Sequence, residues 1–238
     1  EGHLCEVVGK RGAEVADLTG VKKRGGEYIA KQAEQAFNVP ALTAAACEEI
    51  VQYGQSRKAW LIFASGVEHA EQIRAAIASH GIDCKTVHGG KAKSDRADII
   101  EEFKAGQLRC LVNVDILTIG FNAPICDMGV LLRATASTAL YVQIVGRLMR
   151  TYPDKKNALL LDYGGNVERH GPIDKVRVKL PSGSGDGEAP AKACPQCYSL
   201  VHASSMECPD CGHIFPARQP KHERKAYSGA VMSHQNEP

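Results

Sequence analysis

The sequence contains no unbroken apolar run of the roughly eighteen residues that a membrane-spanning helix needs. Its first residues, EGHLCEVVGK, lack the layout of a secretory signal. Charge of one sign is not in excess either, because 29 basic and 27 acidic residues leave a formal net charge of +2. Bulk charge therefore does not indicate a nucleic-acid binder. These absences predict a cytoplasmic protein in which any anion site is local.

Nine cysteines fall into two sets. Five stand singly among apolar neighbours, at positions 5, 47, 84, 110 and 126, which in a reducing compartment is typical of small buried side chains. The other four form two tight pairs and need another explanation. With 238 residues, of which 44% are hydrophobic and 24% charged, the chain is long enough for one large or two modest domains.

Apolar runs of strand length alternate with amphipathic helical segments. The run AWLIFA at 59–64 is typical of a strand buried on both faces of a parallel sheet. Further strands are predicted at 84–87, 108–114, 128–132 and 158–161, and helices at 28–37, 43–53, 67–77, 94–104 and 141–150. This alternation predicts an α/β fold, a parallel sheet with helices on both faces. Thr43 is expected to cap one helix, and Ser65 with Glu68 has the spacing of a capping box.

In a parallel sheet every strand ends at the same edge, where ligands bind. The residues that follow the predicted strands at this edge are Ser65 and Gly66, His88 and Gly89, 115–124, and 162–166. The sequence therefore predicts a site there. Two alternatives stay open: His88 packs only its own loop, and Asp162 and Asn166 only cap the end of the last strand.

The helix predicted at 141–150, YVQIVGRLMR, carries a polar stripe. Gln143, Arg147 and Arg150 stand at i, i+4 and i+7, which places them on one side. The opposite side is apolar and is expected to pack onto the core. Two guanidinium groups held side by side indicate a bound anion, although a solvated basic face is the alternative explanation.

Two CxxC pairs, Cys194 with Cys197 and Cys208 with Cys211, are separated by ten residues. This spacing lets four thiolates surround one ion, which predicts a structural Zn²⁺ site with no open coordination position. We predict an irregular lead-in at 1–27 with one strand near 4–8, a sheet domain at 28–180, a flexible linker at 181–193, a zinc ribbon at 194–216 and a mobile tail at 217–238.

Four ordered segments carry a family resemblance: IFASGVEHA at 62–70, VHGG at 87–90, VNVDILTIGFNAP at 112–124 and QIVGRLMR at 143–150. They resemble motifs IV to VI of the second RecA-like lobe of superfamily 2 helicases. The sequence LDYGGNVERHG at 161–171 and the cysteine pairs are similar to bacterial and phage DEAD/DEAH-box helicases of the XPB-like type. The resemblance implies a RecA-like sheet followed by a zinc ribbon, in a bacterial or phage-infected cell.

The resemblance also implies roles for single residues. It implies arginine fingers on the γ-phosphate of ATP for Arg147 and Arg150, helped by Gln143. Residues implied near the nucleotide are Gly120, Asn122 and Gly146. Those implied near the nucleic-acid backbone are Ser65, Gly66, His88, Gly89 and Thr118. Asn122 departs from the pattern, because that position is commonly Asp.

The sequence contains neither a GxxxxGK[ST] phosphate loop nor a DExH or DEAD box. We therefore expect a second motor lobe of an ATP-dependent helicase or translocase that follows a first lobe and hydrolyses no ATP alone. ATP with Mg²⁺ would be shared with that first lobe, and nucleic acid, DNA favoured over RNA, is the expected partner. The alternative is a non-catalytic nucleic-acid or protein-binding module. A nuclease-coupled translocase is a third hypothesis, although the sequence shows no cluster of catalytic carboxylates.

Overall fold

The computed structural model describes residues 4–117, 121–176 and 191–216. The strands in these ranges are β1 Glu6–Arg11, β2 Lys23–Arg24, β3 Glu27–Tyr28, β4 Trp60–Ala64, β5 Cys84–Val87, β6 Cys110–Asn113, β7 Met128–Leu132, β8 Asn157–Asp162, β9 Ala191–Ala193 and β10 Leu200–His202. The helices are α1 Ala30–Phe37, α2 Pro40–Gly54, α3 Val67–Ser79, α4 Lys93–Lys104, α5 Thr138–Leu148 and α6 Asn166–His170, followed by a 3₁₀ turn at Ile173–Lys175.

Six strands form one sheet in the order β1-β8-β7-β4-β6-β5, and every pairing in it is parallel. The register aligns Phe63 of β4 with Asn113 of β6 and with Leu131 of β7. The strands therefore end level with one another, and the loops that follow them meet at one edge. The predicted parallel α/β sheet is confirmed.

Alternate side chains of the sheet enter two separate cores. Leu61 and Phe63 face the side covered by α4 and α5, whereas Trp60 and Ile62 face the side covered by α2 and α3. Trp60 is fully buried, because a strand in the middle of a parallel sheet is covered on both faces. No helix in the described ranges combines the length and the apolar character that crossing a bilayer requires.

Within the lead-in predicted at 1–27, the strand expected near 4–8 lies at Glu6–Arg11. These residues form β1, the edge strand of the sheet, which pairs with β8 over its full length. The sequence signal is weak because an edge strand has a neighbour on one side only, and most of β1 is only half-buried. An edge strand therefore needs no continuous apolar run.

Both predicted helix caps are wrong. The helix α2 begins before Thr43, with Pro40 in its first turn, so Thr43 is a buried residue of the second turn. The helix α3 has Gly66 rather than Ser65 at its N-cap, with no side-chain cap bond. The Ser65 hydroxyl instead lies 2.7 Å from Nδ1 of His69.

Replacing Gly129 by Ala is expected to lower the free energy of unfolding by about 1–3 kcal/mol, because the β7–α5 contact is already filled. A Cβ at this position would lie 2.3 Å from Cδ1 of the buried Leu148. Gly146→Ala on α5 is the matched control, since its Cβ meets no described atom within 4 Å. Alanine should stabilise that helix by about 0.5–1 kcal/mol. Urea denaturation of both variants checks this, and equal midpoints would contradict it.

Candidate functional site

An ion pair crosses the end of the central strand. Arg133, which follows β7, donates to the carboxylate of Asp115, which follows β6. Because β4 lies between these two strands, the pair spans the carboxyl end of β4, where Ser65 stands. Asp115 has a left-handed backbone with φ 57°, a conformation that aspartate tolerates better than most residues. No sequence pattern indicated this pair, because its two residues are 18 positions apart and meet only in the folded sheet.

Ser65 and Gly66 stand at the end of β4 and the start of α3. The Ser65 hydroxyl and the more distant Ser65 amide, at 3.5 Å, both face Nδ1 of His69. His69 is only 1% exposed, and burial lowers its pKa to about 4. The imidazole is therefore neutral at physiological pH and fixes the serine at the sheet edge. The side chain of Glu34 on α1 covers Gly66, so a Cβ there would clash with its carboxylate.

His88 and Gly89 follow β5 at the same edge. Nδ1 of His88 accepts a hydrogen bond of 3.2 Å from the Gly90 amide, and the His88 carbonyl accepts one from Lys91. The His88 ring therefore contacts its own turn, which agrees with one of the two interpretations of this residue. Gly89 is exposed, and a side chain there would meet no described atom within 4 Å.

The helix α5 presents Arg147 inward. Its N-cap residue Ser137 accepts a hydrogen bond from the Leu140 amide. The apolar side is buried as predicted and consists of Tyr141, Ile144, Val145 and Leu148. Arg147 is only 9% exposed and donates to the carbonyl of Phe121. Burial, and then the charge of Arg150, lower the pKa of Arg147. Gln143, one turn earlier on the same side of α5, is exposed, whereas Arg147 is covered.

Arg150 lies beyond the end of α5, which corrects the prediction that it belongs to the helix. It pairs with Leu4 in an isolated antiparallel bridge. Nζ of Lys155 donates to the carbonyls of Leu148 at 2.7 Å and of Arg150 at 2.8 Å, which closes the helix end. The side chain of Arg150 donates to the amide oxygen of the exposed Asn122. Lys155 is a positioning residue that no sequence pattern indicated.

Both arginines thus contact the segment that follows β6. Phe121 accepts from Arg147 and Asn122 accepts from Arg150, so two consecutive residues hold two guanidinium groups. Asn122, which stands where Asp is common, therefore still accepts a hydrogen bond from an arginine. Thr118 and Gly120, which precede this segment, lie outside the described residues.

Glu27 is a further residue of the edge that sequence analysis missed. Its carboxylate accepts from the Thr135 hydroxyl and from the amides of Ala136 and Ser137, at 2.7 and 3.3 Å. Burial opposes ionisation, but these hydrogen bonds prevail and lower the pKa of Glu27. The β2–β3 turn is therefore tied to the loop that leads into α5, and it restricts access to the start of that helix.

Asp162 and Asn166 hold the end of β8. Asp162 is 1% exposed and accepts from the amides of Gly164 and Val167 and from Nδ2 of Asn166. Asn166 also bonds the backbone of the neighbouring loop through the Thr135 amide. These three hydrogen bonds tie the Asp162 carboxylate to the turn that follows β8, which agrees with the capping interpretation.

The four clustered cysteines converge. Their sulfur atoms all lie within 4.8 Å of one another, with Cys194 and Cys211 at 3.6 Å and Cys197 and Cys208 at 3.6 Å. Four thiolates at about 2.3 Å from one zinc ion would stand about 3.8 Å apart. All four thiols are free. The donor set and its spacing therefore fit a tetrahedral metal ion.

Residues 42–152 match the family model described as the helicase conserved C-terminal domain. A 51.5 kDa protein of a Lactococcus phage (isolate 7-9) is 27% identical over 215 residues, which cover 87% of this chain and 47% of that protein. The candidate ATP-dependent helicase IRC3 of Saccharomyces cerevisiae is 26% identical over 164 residues, which cover 68% of this chain and 24% of that protein. The chain thus spans less than half of either relative.

Among solved structures, a fragment of a candidate HsdR subunit of a type I restriction enzyme from Vibrio vulnificus YJ016 has a similar fold. Its TM-score is 0.55 at 21% identity, over 70% of this chain and 33% of that one. This similarity concerns the fold alone.

The parallel sheet with its loops gathered at one edge is a RecA-like lobe. Residues 42–152, which include the serine, the motif around Asn122 and both arginines, are a helicase conserved C-terminal domain. The match is consistent with the C-terminal lobe of a superfamily 2 helicase and supports the family resemblance.

Replacing His69 by Gln is expected to make the free energy of unfolding less dependent on pH in the acid range. The buried imidazole has a pKa of about 4, below its ordinary 6.5, so the unfolded chain binds this proton more tightly than the fold does. Wild-type stability should fall as the pH drops from about 6.5 towards about 4, by about 3 kcal/mol in total. Urea denaturation at a series of pH values measures this. The exposed His80→Gln is the control, and equal acid losses in all three proteins would contradict it.

Proposed function

We propose that this chain supplies the second motor lobe of an ATP-dependent nucleic-acid helicase or translocase. The observation that carries the proposal is the anchoring of Arg147 and Arg150 on the consecutive residues Phe121 and Asn122. Both guanidinium groups are thereby held before any nucleotide arrives. A preorganised cation stabilises developing charge without reorganising during the reaction.

In this proposal ATP and Mg²⁺ are held mainly by a first lobe, in the same chain or another. Arg147 and Arg150 reach the γ-phosphate, and Gln143, which is exposed, helps to position it. Gly120, Asn122 and Gly146 lie near the nucleotide. At Gly146 the absence of a side chain leaves open space, which suits close approach of a phosphate.

The nucleic-acid backbone is proposed to cross the carboxyl edge of the sheet. Its contacts there are assigned to Ser65, Gly66, His88, Gly89 and Thr118. Phosphate and sugar contacts give affinity without sequence choice. We favour the backbone amides and the exposed Gly89 over the His88 ring, because that ring is already bonded to its own turn. DNA is favoured over RNA as the substrate.

A non-catalytic module with the same fold is the second candidate. Its support is Glu27, whose carboxylate occupies the amides at the start of α5 where a phosphate could otherwise bind. The two candidates differ in whether the arginines act during ATP hydrolysis.

In a protein that joins this chain to its first lobe, Arg147→Ala is expected to reduce the ATPase turnover number about a thousandfold. The loss should fall on turnover far more than on KM, because the finger acts in the transition state. Arg74→Ala is the control, since Arg74 forms an exposed pair with Glu71 on α3. The turnover number and the KM of both variants are measured by phosphate release in the presence of nucleic acid. Full turnover in Arg147→Ala, with phosphate release as fast as in Arg74→Ala, would favour the non-catalytic module.

We also propose that the cysteine site holds Zn²⁺ as a structural ion within a ribbon at 194–216. The purified chain should contain about one zinc per molecule, and Cys208→Ala should lose most of it, because three thiolates leave the shell open. Cys84→Ala, at a single buried cysteine, should retain the metal. Elemental analysis checks this, and zinc near zero in the wild type would contradict it.

A further inference from the structure

The four-cysteine unit, residues 191–216, contacts the open edge of the sheet. β1 is an outermost strand of that sheet, with β8 on one side only. On its other side Lys10 forms an antiparallel bridge with Ser199, and the Arg11 amide donates to the Tyr198 carbonyl at 2.9 Å. The segment next to the first cysteine pair therefore covers the open side of β1 with an isolated bridge and one further backbone hydrogen bond.

The side chain of Lys10 joins both cysteine pairs. Its ammonium group donates to the Cys197 carbonyl at 3.2 Å, to Oγ of Ser199 at 3.4 Å and to the Asp210 carboxylate at 3.2 Å. Cys197 belongs to the first pair, whereas Asp210 lies between the cysteines of the second. Three donors on one ammonium are thus all used. The Lys10 side chain is only 16% exposed, so water screens these bonds little.

Ser199 links this contact to the sulfur atoms. Its hydroxyl donates to Asp210 and lies 3.3 Å from Sγ of Cys197. Ser199 is only 3% exposed, and its neighbour Leu200 packs against the core of the sheet domain. A path of direct contacts therefore runs from β1 through Lys10 and Ser199 to a metal-ligating sulfur.

Apart from these contacts and a bound metal, the four-cysteine unit has few interactions that stabilise its fold. Its own core consists of two cysteines with Val201 and Phe215. Such a core is too small to fold alone, so a bound metal must supply most of the order. Without that order the two cysteine pairs would separate, and Lys10 would lose partners on both of them.

We propose that the metal site and the sheet are one cooperative unit, in which metal binding closes the β1 edge and Lys10 is the coupling residue. Metal loading stabilises β1, and β1 in turn slows metal loss. When the metal leaves, the edge strand is uncovered and can pair with another chain. The inference depends on the metal site and not on ATP hydrolysis.

The first test follows zinc release to a chromogenic chelator from the zinc-loaded full chain. Lys10→Met keeps the aliphatic stem and removes the ammonium, and we expect release about tenfold faster than in wild type. Lys58→Met is the charge-matched control, because Lys58 pairs with Asp154 only at 3.9 Å and both side chains are mostly exposed. In an Asp210→Asn background the Lys10 effect should shrink. Equal release from Lys10→Met and Lys58→Met would overturn the coupling.

A second test needs no variant. Hydrogen exchange of the wild-type chain is measured with zinc bound and after removal by chelator. We expect the amide of Arg11, and with it the β1 peptide, to exchange at least about tenfold faster without metal, while β4 stays protected. Faster exchange confined to 191–216, with β1 unchanged, would show that the ribbon folds independently and would overturn the proposal.

Discussion

Parallel pairing of all six strands is the constraint on which the rest of the structure depends. It brings the ends of β4, β5, β6 and β7 to one edge, so residues separated by many positions in sequence share one surface. The Asp115–Arg133 pair across the end of β4 exists only because β4 lies between β6 and β7. The same geometry leaves β1 as an open edge, and the four-cysteine unit covers that edge. The parallel pairing thus creates both the proposed ligand surface at the carboxyl edge and the β1 edge that the four-cysteine unit contacts.

Packing in the fold determines how Arg147 and Arg150 are positioned. On a bare helix Arg147 and Arg150 would form a flexible basic face. In the fold Arg147 is buried against Phe121, and Arg150 is held outside the helix by backbone contacts with Leu4 and Lys155. Burial of Arg147 lowers its pKa, so its fixed position has a cost in desolvation, whereas Arg150 is only half-buried. In the proposed function both groups act on an anion that arrives from outside.

Local sequence patterns predicted the central strands and most of the helices, because period and length are local properties. Met128–Leu132 and Cys84–Val87 were predicted with their observed bounds. The edge strand β1 was predicted only approximately, as a strand near 4–8, since its neighbours β8 and Ser199 are both far away in sequence. The capping box predicted for Ser65 does not form, because the Ser65 hydroxyl faces Nδ1 of His69 instead. The partners Glu27, Lys155 and Lys10 could not be predicted, because each acts through contacts that only the assembled fold creates.

We propose that nucleic acid crosses the carboxyl edge of this lobe. Hydrogen exchange with and without a single-stranded oligonucleotide, as DNA and as RNA, tests it most directly. We expect slower exchange at 65–69, 88–91 and 133–137, with no change at 57–58 and 152–157 on the opposite edge. Protection confined to the opposite edge or to 191–216, with the carboxyl edge unchanged at saturating oligonucleotide, would contradict it.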